Sequence, residues 1–159
     1  MSPSASISDF LVSLGEDLDI PNHLHEDAVL KYQDVGEWLA AEGSGLNRYS
    51  PEIYPQGSFR FGTVVRPLSP EHEYDIDLVC HLNIEKESVT QSRLKEMIGE
   101  RLRGREDLAK ILTSSRRCWN LTYPTQFHMD VLPAIPNKEN HPTAILLTDT
   151  DLRGWQHSN

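Results

Sequence analysis

Cysteine is scarce in this chain. Only Cys80 and Cys118 occur in 159 residues, too few for a disulfide scaffold or a cysteine-rich zinc site. Each lies in an apolar, strand-like stretch, so both are expected as reduced, buried thiols. Long apolar runs are also missing: no segment approaches the roughly 18 residues that a membrane span requires. The N-terminal "MSPSASISDFLVSLGEDLDIP" lacks the basic start and apolar run of a signal peptide. The expectation is a cytoplasmic protein with no membrane partner. Basic residues are the third shortage. Fifteen Lys and Arg stand against 24 Asp and Glu, a formal net charge of -9, which speaks against holding duplex DNA by covering its phosphates with cations. Seven histidines are present, but none has the spacing of a zinc site. There is no internal repeat and no low-complexity segment.

What remains is the composition of a folded protein. Hydrophobic residues make up 38% and charged residues 25%, and the length suits a single α/β or α+β domain. We read 1–159 as one domain, with a helical segment over 1–45 and the core over 50–159. Helical spacing of Ile7, Phe10, Leu11 and Leu14 predicts a first short helix, and Leu24, Ala28, Leu30, Tyr32, Val35, Trp38 and Leu39 predict a longer one, stopped at Gly43 to Gly45. A short strand is expected at Glu52 to Pro55, running into "QGSFRFGT", and Thr63 to Pro67 reads as extended. The stretch "YDIDLVCHL" from Tyr74 alternates, with Ile76, Leu78 and Cys80 on one face and Asp75, Asp77 and Val79 on the other. Ser88 is the expected cap of a helix ending at Gly104, followed by a short helix at Glu106 to Leu112. "RRCWNLTY" and "FHMDVLPAI" read as strands joined by a turn at Pro124, Ala144 to Leu147 as an edge strand, and Thr150 or Asp151 as the cap of a final helix.

Three carboxylates and a Gly-Ser turn fall in a fixed order along this framework: Gly57-Ser58, then Asp75 and Asp77, then Asp130. Residues two apart on a strand project to the same side, so Asp75 and Asp77 can hold one magnesium ion and share a second. Asp130 alternates with Met129 and Val131, and on a paired strand it would complete a three-carboxylate site. Two metal ions about 4 Å apart serve an in-line phosphoryl displacement. Gly57 permits close backbone approach, and Ser58 offers a hydroxyl and an amide at a helix N-terminus, where anions are favoured. Taken singly, D-x-D and Gly-Ser are commonplace; their order and context make the set specific.

The strings "PQGSFRFGTVVRP", "EYDIDLVC", "FHMDVLPAIP" and "GWQHSN" resemble the bacterial cGAS/DncV-like nucleotidyltransferases, or CD-NTases, of the polymerase β-like superfamily. The resemblance covers roughly Ile53 to Asn159 and implies an α/β (α+β) core, a short mixed sheet flanked by helices. It implies Asp75, Asp77 and Asp130 as catalytic and metal-binding residues, with two magnesium ions, or manganese in their place. Gln56, Gly57, Ser58 and Arg60 become the candidate nucleotide-binding set. The implied activity joins nucleoside triphosphates into a cyclic di- or oligonucleotide second messenger with loss of pyrophosphate, in bacterial antiphage signalling through a downstream effector. Family members continue into a helical C-terminal lobe, so the chain is expected to be truncated before it. Two alternatives stand beside this: a template-independent RNA or tRNA nucleotidyltransferase, disfavoured by the acidic balance, and a catalytically silent, antitoxin-like binding domain.

Other residues have plainer readings. Arg60 and Arg66 are each within reach of a phosphate held at the Gly-Ser turn, and are read equally well as ordinary loop arginines. Arg116 and Arg117 read as charge flanking a strand, His128 as a residue on the Asp130 face, and Trp38, Trp119 and Tyr123 as core.

Overall fold

Apolar spacing decides which side of each element faces the core. The computed structural model describes residues 22–57, 74–124, 127–152 and 154–158. The expected helix at Ile7 to Leu14 and the extended segment at Thr63 to Pro67 therefore lie outside the described residues. Helix α1 (Asn22–Ala40) buries Ala28, Val35 and Leu39 completely. Leu30, expected in that stripe, is 64% exposed: it lies two positions from Ala28, about 200° around the helix, and so points away.

Helix α2 (Gln91–Arg103) is capped by Thr90, whose Oγ1 accepts from the Arg93 amide at 3.2 Å. The cap is thus Thr90 and not Ser88; Lys86–Ser88 forms a separate 3-10 turn. Its buried stripe is Leu94, Lys95, Met97, Ile98, Gly99 and Leu102. A short helix α3 (Glu106–Ile111) adds Leu108. The first two helices clasp each other: the Trp38 indole donates to the Arg101 carbonyl at 2.9 Å, and the Arg101 guanidinium donates to the Trp38 carbonyl at 2.9 and 2.7 Å.

Among the described residues, seven strands form one mixed sheet: β1 (Glu52–Gln56), β2 (Tyr74–His81), β3 (Leu112–Ser114), β4 (Trp119–Tyr123), β5 (Phe127–Pro136), β6 (Ile145–Leu147) and β7 (Gln156–Ser158). The order is β1-β2-β5-β4-β3, with β6 pairing β5 and β7. The β2–β5 pair is parallel and every other pair is antiparallel. Because Ala134 pairs with His81 on one side and Leu147 on the other, β6 takes over the edge of β5 that β4 leaves at Val131. The expected edge strand therefore has a partner, and "QHS" forms a strand where a final helix was expected. Thr150 and Asp151 lie in a turn.

One face of this sheet carries the core. Ile76, Leu78 and Cys80 of β2, Leu121 of β4 and Phe127, Met129 and Val131 of β5 join the helical stripes in one buried cluster. Burying one such aliphatic side chain stabilises by about 1.5–3 kcal/mol, so this face carries most of the fold. The opposite face holds a smaller buried cluster of Val79, Ala134 and Ile145 and leaves the ends of β2 and β5 near Asp77 and Asp130 to polar residues. Both cysteines are buried and unpaired, as expected. No helix among the described residues is long and apolar enough to cross a membrane.

Candidate active site

Strand register gathers the polar residues of the opposite face. Gln56 pairs with Asp77, Asp77 with Asp130, and Asp130 with Asn120. Residues paired across a sheet point to the same side, so these four form one row over β1, β2, β5 and β4. Asp75 lies one step along β2 from Asp77, on the same face, opposite His128 and exposed.

The parallel β2–β5 pair sets Asp77 beside Asp130. The Asp77 carboxyl is accordingly held above the ordinary value of 3.8, first by burial, then by the charges of Asp130 and Asp75. Like charges gathered in this way fit a divalent cation, which would favour the ionised forms of all three. Among the described residues, no group of three His, Cys, Asp or Glu side chains is already arranged to hold a metal ion. Asp77 and Asp130 are in register and Asp75 is one step away.

A hydrogen-bonded relay orients Asp130. The Asn120 amide nitrogen donates to Asp130 Oδ1 at 2.7 Å, the Thr122 hydroxyl donates to Asn120 Oδ1 at 2.9 Å, and His128 Nδ1 lies 3.3 Å from Thr122 Oγ1. Since the one hydroxyl proton of Thr122 goes to Asn120, His128 must donate from Nδ1 to complete the relay. His128 thus supports the site from the face on which the sequence places it. Asn120 and Thr122 are missed by motif reading. Their signal is the alternation of "WNLTY", which sends Asn120 and Thr122 opposite to Trp119, Leu121 and Tyr123.

The turn after β1 closes on the same carboxylates. Gly57 has φ +69°, the left-handed region that favours glycine, and a Cβ there would lie 3.0 Å from Asp77 Oδ2. Gln56 Nε2 donates to Ser158 Oγ at 3.1 Å, which requires the sheet to curl so that β7 returns across this face. The resulting cleft, about 700 Å³, is lined by Gln56, Gly57, Asp77, Arg117, Asp130 and Leu147 among others. Ser58 and Arg60 lie outside the described residues.

Cys118 lines this cleft as well. Burial, and then the charge of Asp130, push its thiol up to about 12, so it is protonated and not a nucleophile. Trp119 belongs to the core, as read from the sequence: its indole donates to the Lys95 carbonyl at 2.7 Å. A Cβ on Gly99 would come within 2.2 Å of its ring.

Carboxylates in register on a parallel strand pair, beside a tight glycine turn on a mixed sheet, define a nucleotidyltransferase core. The chain belongs to the DncV-like nucleotidyltransferases, the CD-NTases: the family model "Cyclic GMP-AMP synthase DncV-like, nucleotidyltransferase domain" matches residues 51–133, from the start of β1 to beyond Asp130. It is 26% identical over 153 residues to a c-di-GMP synthase of Roseivirga ehrenbergii, covering 96% of this chain and 40% of the relative. It is 27% identical over 124 residues to the cyclic dinucleotide synthase CdnG of Bradyrhizobium diazoefficiens, covering 78% of this chain and 29% of the relative. The chain therefore spans less than half the length of these curated relatives.

Solved structures agree on the fold. The structure of the Bradyrhizobium diazoefficiens CD-NTase CdnG in complex with GTP superposes with a TM-score of 0.74 at 22% identity, covering 90% of this chain and 40% of that one. Escherichia coli DncV in its 3'-deoxy GTP bound form gives 0.67 at 18% identity, covering 92% of this chain and 56% of that one.

Proposed function

We propose that this chain is the catalytic core of an enzyme that joins nucleoside triphosphates into a cyclic di- or oligonucleotide second messenger, releasing pyrophosphate. The observation that carries the reading is the row Gln56, Asp77, Asp130, Asn120 beside Gly57, within a family whose curated relatives are cyclic dinucleotide synthases. In this reading a ribose hydroxyl attacks the α-phosphate of a donor nucleotide and the bond to pyrophosphate breaks. Asp130, oriented by Asn120, accepts the hydrogen bond of the attacking hydroxyl. Asp75 and Asp77 hold the donor end, and Gln56, Gly57, Ser58 and Arg60 grip its triphosphate. Two magnesium ions, replaceable by manganese, are the proposed cofactors, held by Asp75, Asp77 and Asp130. When bound they supply charge neutralisation and a more acidic hydroxyl. The proposed setting is the bacterial cytoplasm, in antiphage defence, with an effector that responds to the product.

The experiment is incubation of the full-length protein with labelled ATP, GTP, CTP and UTP and magnesium. The expected result is a phosphatase-resistant product, lost by about a thousandfold or more in Asp77→Asn and Asp130→Asn. Products consisting only of linear tails on added RNA would establish the template-independent polymerase reading instead. Nucleotide binding without turnover would establish the silent binding domain.

A further inference from the structure

Beside the carboxylate row, the cleft carries positive charge that the reading above leaves unused. Arg116 and Arg117 line it just before β4. Both contact one carboxylate, Asp149, on the turn after β6: Arg116 Nε lies 3.3 Å from Oδ1 and Arg117 Nε 3.0 Å from Oδ2. The Asp149 side chain is fully buried, while the two arginine side chains are 47% and 51% exposed. Burial raises the Asp149 carboxyl pKa, but the hydrogen bond from Arg117, that from the Asp151 amide and the charges of both arginines outweigh it, leaving it lowered and ionised. One negative charge thus anchors two positive ones, and the excess faces the cleft.

The anchor is built with care for position. Thr148 Oγ1 donates to the Arg117 carbonyl at 2.8 Å, and the Thr150 amide and hydroxyl donate to the Arg116 carbonyl at 3.1 and 2.9 Å. Gln91, the first residue of α2, accepts from the Asp149 amide at 2.5 Å and donates to the Leu152 carbonyl at 3.3 Å. The turn is therefore fixed to a helix on one side and to both arginine backbones on the other. A buried carboxylate is unfavourable unless paired, and apolar packing would hold a turn at lower cost. A carboxylate at this place does what apolar packing cannot: it sets the direction of two guanidinium groups that remain half open to the cleft.

We propose that Arg116 and Arg117 form a phosphate-binding wall of the cleft and that Asp149 is the positioning residue that aims them. The ligand class is a polyphosphate, carried by the nucleotide of the reading above on which this inference rests. With carboxylates and guanidinium groups lining one cleft, the cleft orients a triphosphate by its charge. The arginines take anionic oxygens of the polyphosphate beyond those held at the Gly57 turn and Asp77.

The test uses the full-length protein with inorganic tripolyphosphate, GTP and guanosine as probes, titrated by calorimetry at low and high salt. The double variant Arg116→Gln/Arg117→Gln is expected to weaken tripolyphosphate and GTP binding by about tenfold or more, to leave guanosine within about twofold, and to flatten the salt dependence. Asp149→Asn keeps the size of the side chain and leaves the threonine tethers in place. It is expected to weaken the two phosphate probes by about three- to tenfold and to raise KM for the nucleoside triphosphate more than it lowers kcat.

An Asp149→Asn protein that loses thermal stability yet binds tripolyphosphate like the wild type would overturn the positioning role. Equal losses for GTP and guanosine would overturn the phosphate wall. Should Asp149→Asn not fold, the double variant at the half-exposed arginines decides, and wild-type tripolyphosphate affinity there overturns the proposal. The two readings fail separately. Arginine-dependent tripolyphosphate binding without any nucleotide product sinks the synthase and keeps the wall. A product that depends on Asp77 but not on Asp149 or the arginines does the reverse.

Discussion

The two faces of the sheet are made from the same strands and follow opposite rules. Along β2, Ile76, Leu78 and Cys80 are fully buried against the helices, while Asp75 is exposed and Asp77 half-buried beside another carboxylate. Along β5, Phe127, Met129 and Val131 are buried while His128, Asp130 and Leu132 are only partly so. The helical face gains stability from each side chain it hides. The cleft face gathers like charges that oppose folding when no cation is present. Alternation at period two lets one strand do both over its first half; further along, Val79 and Ala134 are buried too, in a second apolar cluster with Ile145.

That contrast can be broken most strongly from the helical side. Leu78→Ala is expected to cost about 2–5 kcal/mol, because it opens a cavity in a close-packed core. The loss is read from the midpoint of denaturant unfolding. Gly99→Ala sets a methyl group where the Trp119 ring now lies, 2.2 Å away. It is expected to cost about 1–3 kcal/mol by overpacking, with a change in tryptophan fluorescence as the local signature.

On the cleft side, the smallest stability effect, and one of opposite sign, is expected at Asp77. Its carboxyl binds a proton more tightly in the folded state than the ordinary 3.8 of a free side chain. Folding stability from this group therefore falls as pH rises from that value through the folded-state value, and the penalty is complete above it. Asp77→Asn removes the penalty. Without divalent cations the variant is expected to melt slightly above the wild type at neutral pH and level with it below 3.8. A variant that melts lower at neutral pH would show that Asp77 supports the fold.

The faces of β2 and β5 were legible in the sequence because alternation is a local property. "YDIDLVCHL" and "FHMDVLPAI" declare their inner and outer residues without reference to any partner. Register is not local. That Asp77 stands against Asp130, and Asp130 against Asn120, depends on a parallel pairing reached only through two helices and two strands. The roles of Asn120, Arg116 and Arg117 were hidden for the same reason: Asn120 needs β5 beside it, and the arginines need a carboxylate more than 30 residues further along the chain. The expected final helix at Thr150 failed because the Thr150 hydroxyl donates to the Arg116 carbonyl and the Asp151 amide donates to Asp149 Oδ1. Leu30 was misread because apolar character alone does not place a residue on a stripe; its angle around the helix does.

Trp119 and Asn120 are neighbours in sequence with opposite duties, and the first governs the second. The indole is locked into a notch that only glycine leaves open, and it is tied to a helix carbonyl. A slide of β4 by one position would drive a polar amide into the hydrocarbon layer and lift a tryptophan out of it. The notch in α2 thereby acts as a ruler for the cleft side, setting the height at which the amide meets its carboxylate. Residue 99 and residue 120 lie on separate elements, but a change at the first is expected to be felt at the second.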